Sequence, residues 1–370
     1  MMHRRQMLIL MTASGVSACA DRFHAPLVPQ AGAVGIVRPV FVATNRVPEP
    51  GGWFTTQRSE RTSYMRLEVS IPPTHQKGRI HNGYDNPNPE TDFTVAARRD
   101  LSDRQAFRTA LSQAIRNAPP DRREIAVYIH GYNNSFFDGV FRTAQIIHDF
   151  DVPATAVHFS WPSATHPLGY TYDRDSVLFA RDALEQLLYD LRAAGPRRII
   201  LIAHSLGSML LMETLRQIEI ADPGWSKRSL GGVVLISPDL DVELFRMQAK
   251  RFGGLPQPFA IITSNRDRAL ALSARINGAA ARLGNLTDPE VLGDFPVTLV
   301  DVSEFSARGT NHFTIGTSPA LISLINNSAT LGVAFQSDRS ARSGLLPGTV
   351  LTVRNATQMI LSPDLLLAKM

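Results

Sequence analysis

The segment Arg198-Ile199-Ile200-Leu201-Ile202-Ala203-His204-Ser205-Leu206-Gly207-Ser208-Met209-Leu210-Leu211 constrains this chain more than any other. A β-branched run over 199–202 stops at Ala203, and an apolar helical run begins at once after the turn. A strand that passes into a helix this quickly leaves a very tight corner. Small residues must stand two positions before and two after its apex; here they are Ala203 and Gly207, around Ser205. Such a corner holds the serine in a strained conformation, its Oγ above the sheet edge and over a helix N-terminus. The N–H of Leu206 then faces any negative charge that develops beside the serine. The pattern names a local fold and a nucleophile together. Ala203 stands where a glycine is commoner. The plainer reading is an ordinary βα loop with a serine helix cap.

This strand–corner–helix pattern resembles the nucleophile corner of the α/β-hydrolases, and the resemblance implies a base and an acid in the chain order nucleophile, acid, base. Of ten histidines, only His312 follows Ser205, on a loop past the strand-like run 297–302. It is the expected base. Two strand ends offer the acid. The run 231–236 is followed by Asp239 and Asp241, and the run 259–263 by Asp267. Asp267 follows the penultimate strand and is preferred; Asp239 is the alternative. As ordinary residues, Asp267 would cap a helix starting at Arg268 and Asp239 would be a turn residue after Pro238. Upstream, the strand-like run 125–129 enters His130-Gly131-Tyr132. Gly131 lets the backbone approach a substrate, and the N–H of Tyr132 is the expected second oxyanion donor. His130 reads as a structural hydrogen-bonding residue, and also as a pocket candidate with Trp161 and Tyr170. His130, His148, His158 and His166 show no metal-ligand spacing, and there is no HExxH or paired-cysteine motif, so neither metal nor cofactor is expected.

Around these motifs strands and helices alternate. Strand candidates are 38–44, 63–71, 125–129, 154–159, 199–202, 233–236, 259–263 and 297–302. Ser102-Asp103 is placed to cap a helix to about Asn117, and with it helices are expected at 136–150, 174–193 and 319–327. The third of these stacks Val177, Ala180, Leu184, Leu187, Leu188 and Leu191 on one face. Alternation of this kind predicts an α/β fold, a mostly parallel sheet flanked by helices. Residues 73–95 are rich in Pro, Asn, Gly and His and read as a long loop. The domain is expected over 38–327. Residues 19–37 read as a tether, and 328–370 as an extension of no evident role, with a strand candidate at 349–353.

The first eighteen residues carry Arg4 and Arg5, a short apolar stretch and a small-residue site ending at Cys19, the only cysteine. That is a secretory signal, too short to span a membrane. A lone cysteine there resembles a bacterial lipoprotein signal, in which it is lipidated and becomes the first mature residue. The alternatives are an ordinary cleaved signal or a short cytosolic leader. Ala20 follows, not aspartate, which favours the outer membrane, facing the periplasm. The net charge of +5 comes almost wholly from arginine, with lysine only at 77, 227, 250 and 369. No basic run is interleaved with aromatics, so a nucleic-acid partner is not expected.

Taken together, the stretches 127–136, Phe159-Ser160-Trp161-Pro162-Ser163, Ala203-His204-Ser205-Leu206-Gly207, Ser237-Pro238-Asp239-Leu240-Asp241 and 264–270 resemble the α/β-hydrolases. Within them the chain is similar to a family of uncharacterised bacterial esterase/lipase-like proteins, over about 38–326. The resemblance implies a triad of Ser205, Asp267 and His312, and a small-molecule or lipid ester as substrate. It supplies no particular substrate. Acyl transfer or amide hydrolysis would use the same triad, and a non-catalytic envelope lipoprotein would use only the scaffold.

Overall fold

The computed structural model describes residues 25–278, 281–305, 312–327 and 350–361. Its centre is an eleven-stranded sheet. In chain order the strands are β1 (Ile36–Pro48), β2 (Phe54–Ile71), β3 (Thr94–Leu101), β4 (Glu124–Ile129), β5 (Ala154–Ser160), β6 (Ile199–His204), β7 (Leu230–Ile236), β8 (Phe259–Thr263), β9 (Thr298–Asp301), β10 (Val350–Val353) and β11 (Ala356–Ile360). Their order across the sheet is β10-β11-β9-β8-β7-β6-β4-β5-β1-β2-β3. Neighbours from β1 through β5, β4, β6, β7, β8 and β9 to β11 pair in parallel. Antiparallel pairs lie at the two ends, β1–β2–β3 on one side and β10–β11 on the other. The expected α/β sheet, mostly parallel and flanked by helices, is therefore what the chain builds.

The central strands are buried on both faces, as a helix-covered parallel sheet requires. All of β4 is buried. The helix Tyr170–Ala193 sets Val177, Ala180, Leu184, Leu187, Leu188 and Leu191 into the core, the face read from the sequence. The helix Leu206–Ala221 adds Leu210, Leu211, Met212, Leu215 and Ile218. Truncating any one of these leucines to alanine costs about 2–5 kcal/mol. Against the other face the helix Phe136–Asp149 packs Phe136, Phe137, Val140, Phe141 and Ala144 onto β1 and β2. Asp103 caps the helix Arg104–Asn117 through the N–H of Ala106, as its position predicts.

Three expectations are corrected. From Ala25 the chain is docked and is no tether. Val28 and Ala31 are buried against Ala96, Val28 N–H bonds Val95, and Ser70 Oγ donates to the Ala31 carbonyl. The extension is not idle, because 350–361 forms a hairpin that extends the sheet beside β9. Strand 349–353 was legible; its partner 356–360 was not. The expected domain thus extends beyond 38–327 on both sides. Finally, β2 begins nine residues before the expected 63, and β3 was not expected at all. Both carry exposed arginines and acids in their outer halves, which weakens strand alternation as a signal. Cys19 and the leader lie outside the described residues.

Candidate active site

Four of the seven non-glycine residues with positive φ among the described residues lie past the carboxyl ends of parallel strands. Asn133 (φ 56°), Thr165 (φ 54°), Ser205 (φ 54°) and Ser237 (φ 44°) follow β4, β5, β6 and β7 in turn. Such conformations cost about 1–3 kcal/mol each and persist only where the surroundings enforce them. The carboxyl edge is also where open α/β sheets bind ligands.

Ser205 is the apex of the corner, at φ 54°, ψ −125°, directly before the helix Leu206–Ala221. Its N–H donates to Ile236 O at 3.0 Å, and its own carbonyl accepts from Ser208 N–H and from Asp239 N–H at 3.2 Å. The corner is therefore held by the ends of β6 and β7 and not by its own turn alone. Gly131 shows how tightly the next loop packs against it: a Cβ there would lie 2.8 Å from Ser205 Cβ and 2.7 Å from His204 Nδ1. Only glycine allows that approach. The N–H of Leu206 opens its helix and has no partner within it.

His312 and Asp267, 45 residues apart in sequence, meet: Nδ1 lies 2.7 Å from Oδ2 of Asp267. The other carboxylate oxygen accepts from the N–H groups of Ala269 and Leu270 and caps the helix Arg268–Ile276. One oxygen of Asp267 thus caps the helix and the other meets His312. Its carboxylate is fully buried and fixed in orientation. His204, the residue before the serine, sits beneath His312, with its Nε2 3.0 Å from the His312 carbonyl oxygen and the rings 4.7 Å apart. Burial, and then the neighbouring His312, hold the His204 imidazole well below its usual pKa, so it is neutral.

Asp239 does not face His312. It accepts from Tyr170 Oη at 2.9 Å and Ser273 Oγ at 2.7 Å, and Arg282 Nε lies 3.3 Å away. The alternative acid is therefore a packing and turn residue behind the serine. Tyr170 is half-buried in the same network and lies edge-on to Tyr132. Trp161 and His130 do not line an open pocket. Both are fully buried and their rings stack 4.7 Å apart. His130 Nδ1 lies 2.8 Å from the Gly131 carbonyl oxygen and Nε2 3.0 Å from that of Trp161, so the neutral ring donates to one of the two, and Trp161 Nε1 donates to the His130 carbonyl. Burial depresses the His130 pKa strongly. These two residues brace the loop after β4 from below, the structural role read for His130.

Two residues that carry this loop had no signal in the sequence. Arg46, fully buried, donates to Asn134 O (2.9 Å), Ser163 O (3.3 Å) and Ser160 Oγ (3.1 Å). Burial lowers its pKa to about 10, leaving it charged at neutral pH. Asp173 accepts from Asn133 N–H, Ser163 Oγ and Ala164 N–H, and burial raises its pKa. Together they tie the loop after β4 to the loop after β5, across 88 and 40 residues of sequence. Tyr132, whose N–H is the expected donor, is steadied from outside: its hydroxyl donates to the carbonyl of Pro167.

The fold also gathers His75, His148 and Asp149, whose ligand-type atoms lie within 4.8 Å of one another, a group that ligand spacing could not reveal. It is poorly suited to a cation. Asp149 already accepts from His75, Gln145 and Gly78, and Arg38 Nη2 lies 3.3 Å from His148 Nδ1.

No curated protein matches the chain. Among solved structures it is similar to carboxyl esterase 2 from the mycorrhizal fungus Tuber melanosporum, at 12% identity over 85% of this chain and 74% of that one, with a TM-score of 0.26. At that score the likeness carries no argument. The family model "Alpha/beta hydrolase of unknown function (DUF900)" matches residues 103–328, which run from the cap of the first long helix past the His312 loop. The chain thus belongs to this family of alpha/beta hydrolases.

Proposed function

We propose that the protein is a serine hydrolase of carboxylic esters. The observation that carries this reading is the strained Ser205 at a helix N-terminus, on the same sheet edge as a buried aspartate clamped to His312 at 2.7 Å. Ser205 Oγ attacks the ester carbonyl while His312 takes its proton. Asp267, held by two backbone donors, keeps the His312 ring in the tautomer that can accept it and stabilises the imidazolium. The N–H groups of Leu206 and Tyr132 receive the oxyanion. The protonated His312 passes its proton to the departing alkoxide, leaving an acyl-serine. Water, activated by the same imidazole, then releases the acid and restores Ser205.

The test is labelling by a fluorophosphonate, which forms a stable bond only with an activated serine. The adduct is expected on Ser205. Ser205→Ala should abolish it and lower kcat for short aryl esters by on the order of 10⁶, with the fold intact. An adduct elsewhere, or full turnover by the alanine variant, overturns the proposal. We also propose export and acylation at Cys19, on the strength of the leader ending in the sole cysteine. Intact mass decides this: a chain retaining residues 1–18, or a mature chain without acyl mass, removes the anchor and leaves the triad untouched.

A further inference from the structure

The helix Arg268–Ile276 begins immediately after the acid Asp267, and only one of its faces is used by the fold. Leu270 and Ser273 point inward, and Ser273 Oγ bonds Asp239 and lies 2.9 Å from Tyr170 Oη. The outer face stacks Leu272 and Ile276 one turn apart, 58% and 61% exposed. Arg268 and Arg275 flank them, and Arg266 precedes the helix. All three arginines are exposed, and none makes an ion pair or side-chain hydrogen bond among the described residues. Beside this helix stands the tip of the loop after β5. Leu168 there is 87% exposed, the most exposed large apolar side chain among the described residues. Two residues later Tyr170 reaches Ser273, and Arg174 reaches Asn277 at the end of the same helix.

We propose that Leu168, Leu272 and Ile276, ringed by Arg266, Arg268 and Arg275, form a docking face for an anionic lipid surface. The apolar side chains would enter the acyl boundary while the guanidinium groups meet the headgroup phosphates. The pattern fits a bilayer better than a protein. Three separate aliphatic side chains, ringed by cations that are unpaired among the described residues, lack the charge-depleted core around which a protein interface of about 800 Å² per partner is built. A fluid surface needs no such core. For its purpose the docking rests on the hydrolase reading, since it would bring Ser205 to the ester carbonyls of lipids.

The test uses the full chain carrying Cys19→Ser, so that no acyl group can supply the binding. It is sedimented with vesicles of phosphatidylethanolamine and phosphatidylglycerol, and separately with phosphatidylcholine alone. Binding to the anionic vesicles, weakened by salt and absent with phosphatidylcholine, is expected. Leu272→Ser with Ile276→Ser should weaken it at least tenfold, and Arg275→Gln by roughly fivefold, while hydrolysis of a short soluble ester and the melting temperature stay as in the parent. Equal binding to both vesicle types, no binding, or unchanged binding by both variants overturns the proposal. Vesicle binding lost in the variants while Ser205 proves inert supports the docking face and overturns only the hydrolase reading.

Discussion

Two histidine–aspartate pairs in this molecule have nearly the same geometry and opposite surroundings. His312 and Asp267 meet at 2.7 Å, and His75 and Asp149 at 2.6 Å; both carboxylates are completely buried. At the first pair, one carboxylate oxygen is spent on a helix cap and the other is left for the histidine, on the sheet edge that carries Ser205. At the second, Gly78 N–H and Gln145 Nε2 share Asp149 Oδ2 and His75 takes Oδ1, while Asn326 Nδ2 donates to the Asp149 backbone carbonyl. Burial opposes ionisation of Asp149, but the bonds from His75, Gln145 and Gly78 outweigh it and lower its pKa. That pair pins the long loop 72–93 to the helix Phe136–Asp149 and to the helix Pro319–Asn327. A short His–Asp contact is thus no mark of catalysis by itself. What separates the two is not the carboxylate, which takes three donors in each pair, but its place: only the first stands on the sheet edge that carries the strained Ser205.

The sharpest way to break this comparison is to neutralise each acid. Asp267→Asn should lower kcat by roughly 10³–10⁴, because the histidine tautomer is no longer enforced. Asp239→Asn, on the network behind the serine, should cost far less. Steady-state kinetics on a short aryl ester ranks them, and the reverse order would transfer the acid's role to Asp239. The next effect is on stability. Asp149→Ala should leave kcat nearly unchanged while destabilising the protein by about 3 kcal/mol, since it strands three buried donors. Urea denaturation beside the ester assay checks both halves. A rate loss like that of Asp267→Asn would show the two pairs to be functionally joined.

The mildest perturbation, a change of pH with no mutation, concerns the histidines that are no part of either pair. His130, His158 and His204 are held below their ordinary pKa chiefly by burial, His158 to about 3. In the unfolded chain each would take a proton near pH 6.5. Below that pH the unfolded state binds more protons than the folded one, so stability falls as pH falls. Each such histidine contributes about 1.4 kcal/mol per pH unit until its folded pKa is reached. Denaturant titrations at pH 7 and 5.5 should show this loss. A flat stability profile over that interval would mean that these rings are charged in the fold or less buried than they stand here.

The parallel half of the molecule was legible because its signals are local. The run 199–211 contains strand, corner and helix in thirteen residues, and the strand ends after it offer Asp239, Asp267 and His312 in that order. The antiparallel flank was less legible. β2 and β3 carry charged residues on their outer turns, and Val28 and Ala31 look like linker until Ala96 is seen to cover them. The pocket assignments for Trp161 and His130 failed because burial cannot be read from residue type: the two stack on each other under the loop after β4.

By itself, then, the sequence determined the α/β class, the corner at Ser205 and the identity of the one histidine that could serve it. These are consequences of periodicity, of steric demands within five residues, and of there being a single histidine after the corner. Tertiary structure alone decided which aspartate meets His312, that Arg46 and Asp173 clamp the loop after β4, and that His75 and Asp149 form a second pair. Each of those is a contact between residues 40 or more positions apart. Such contacts are set by which strands neighbour one another in the sheet, and no local pattern along the chain encodes that order.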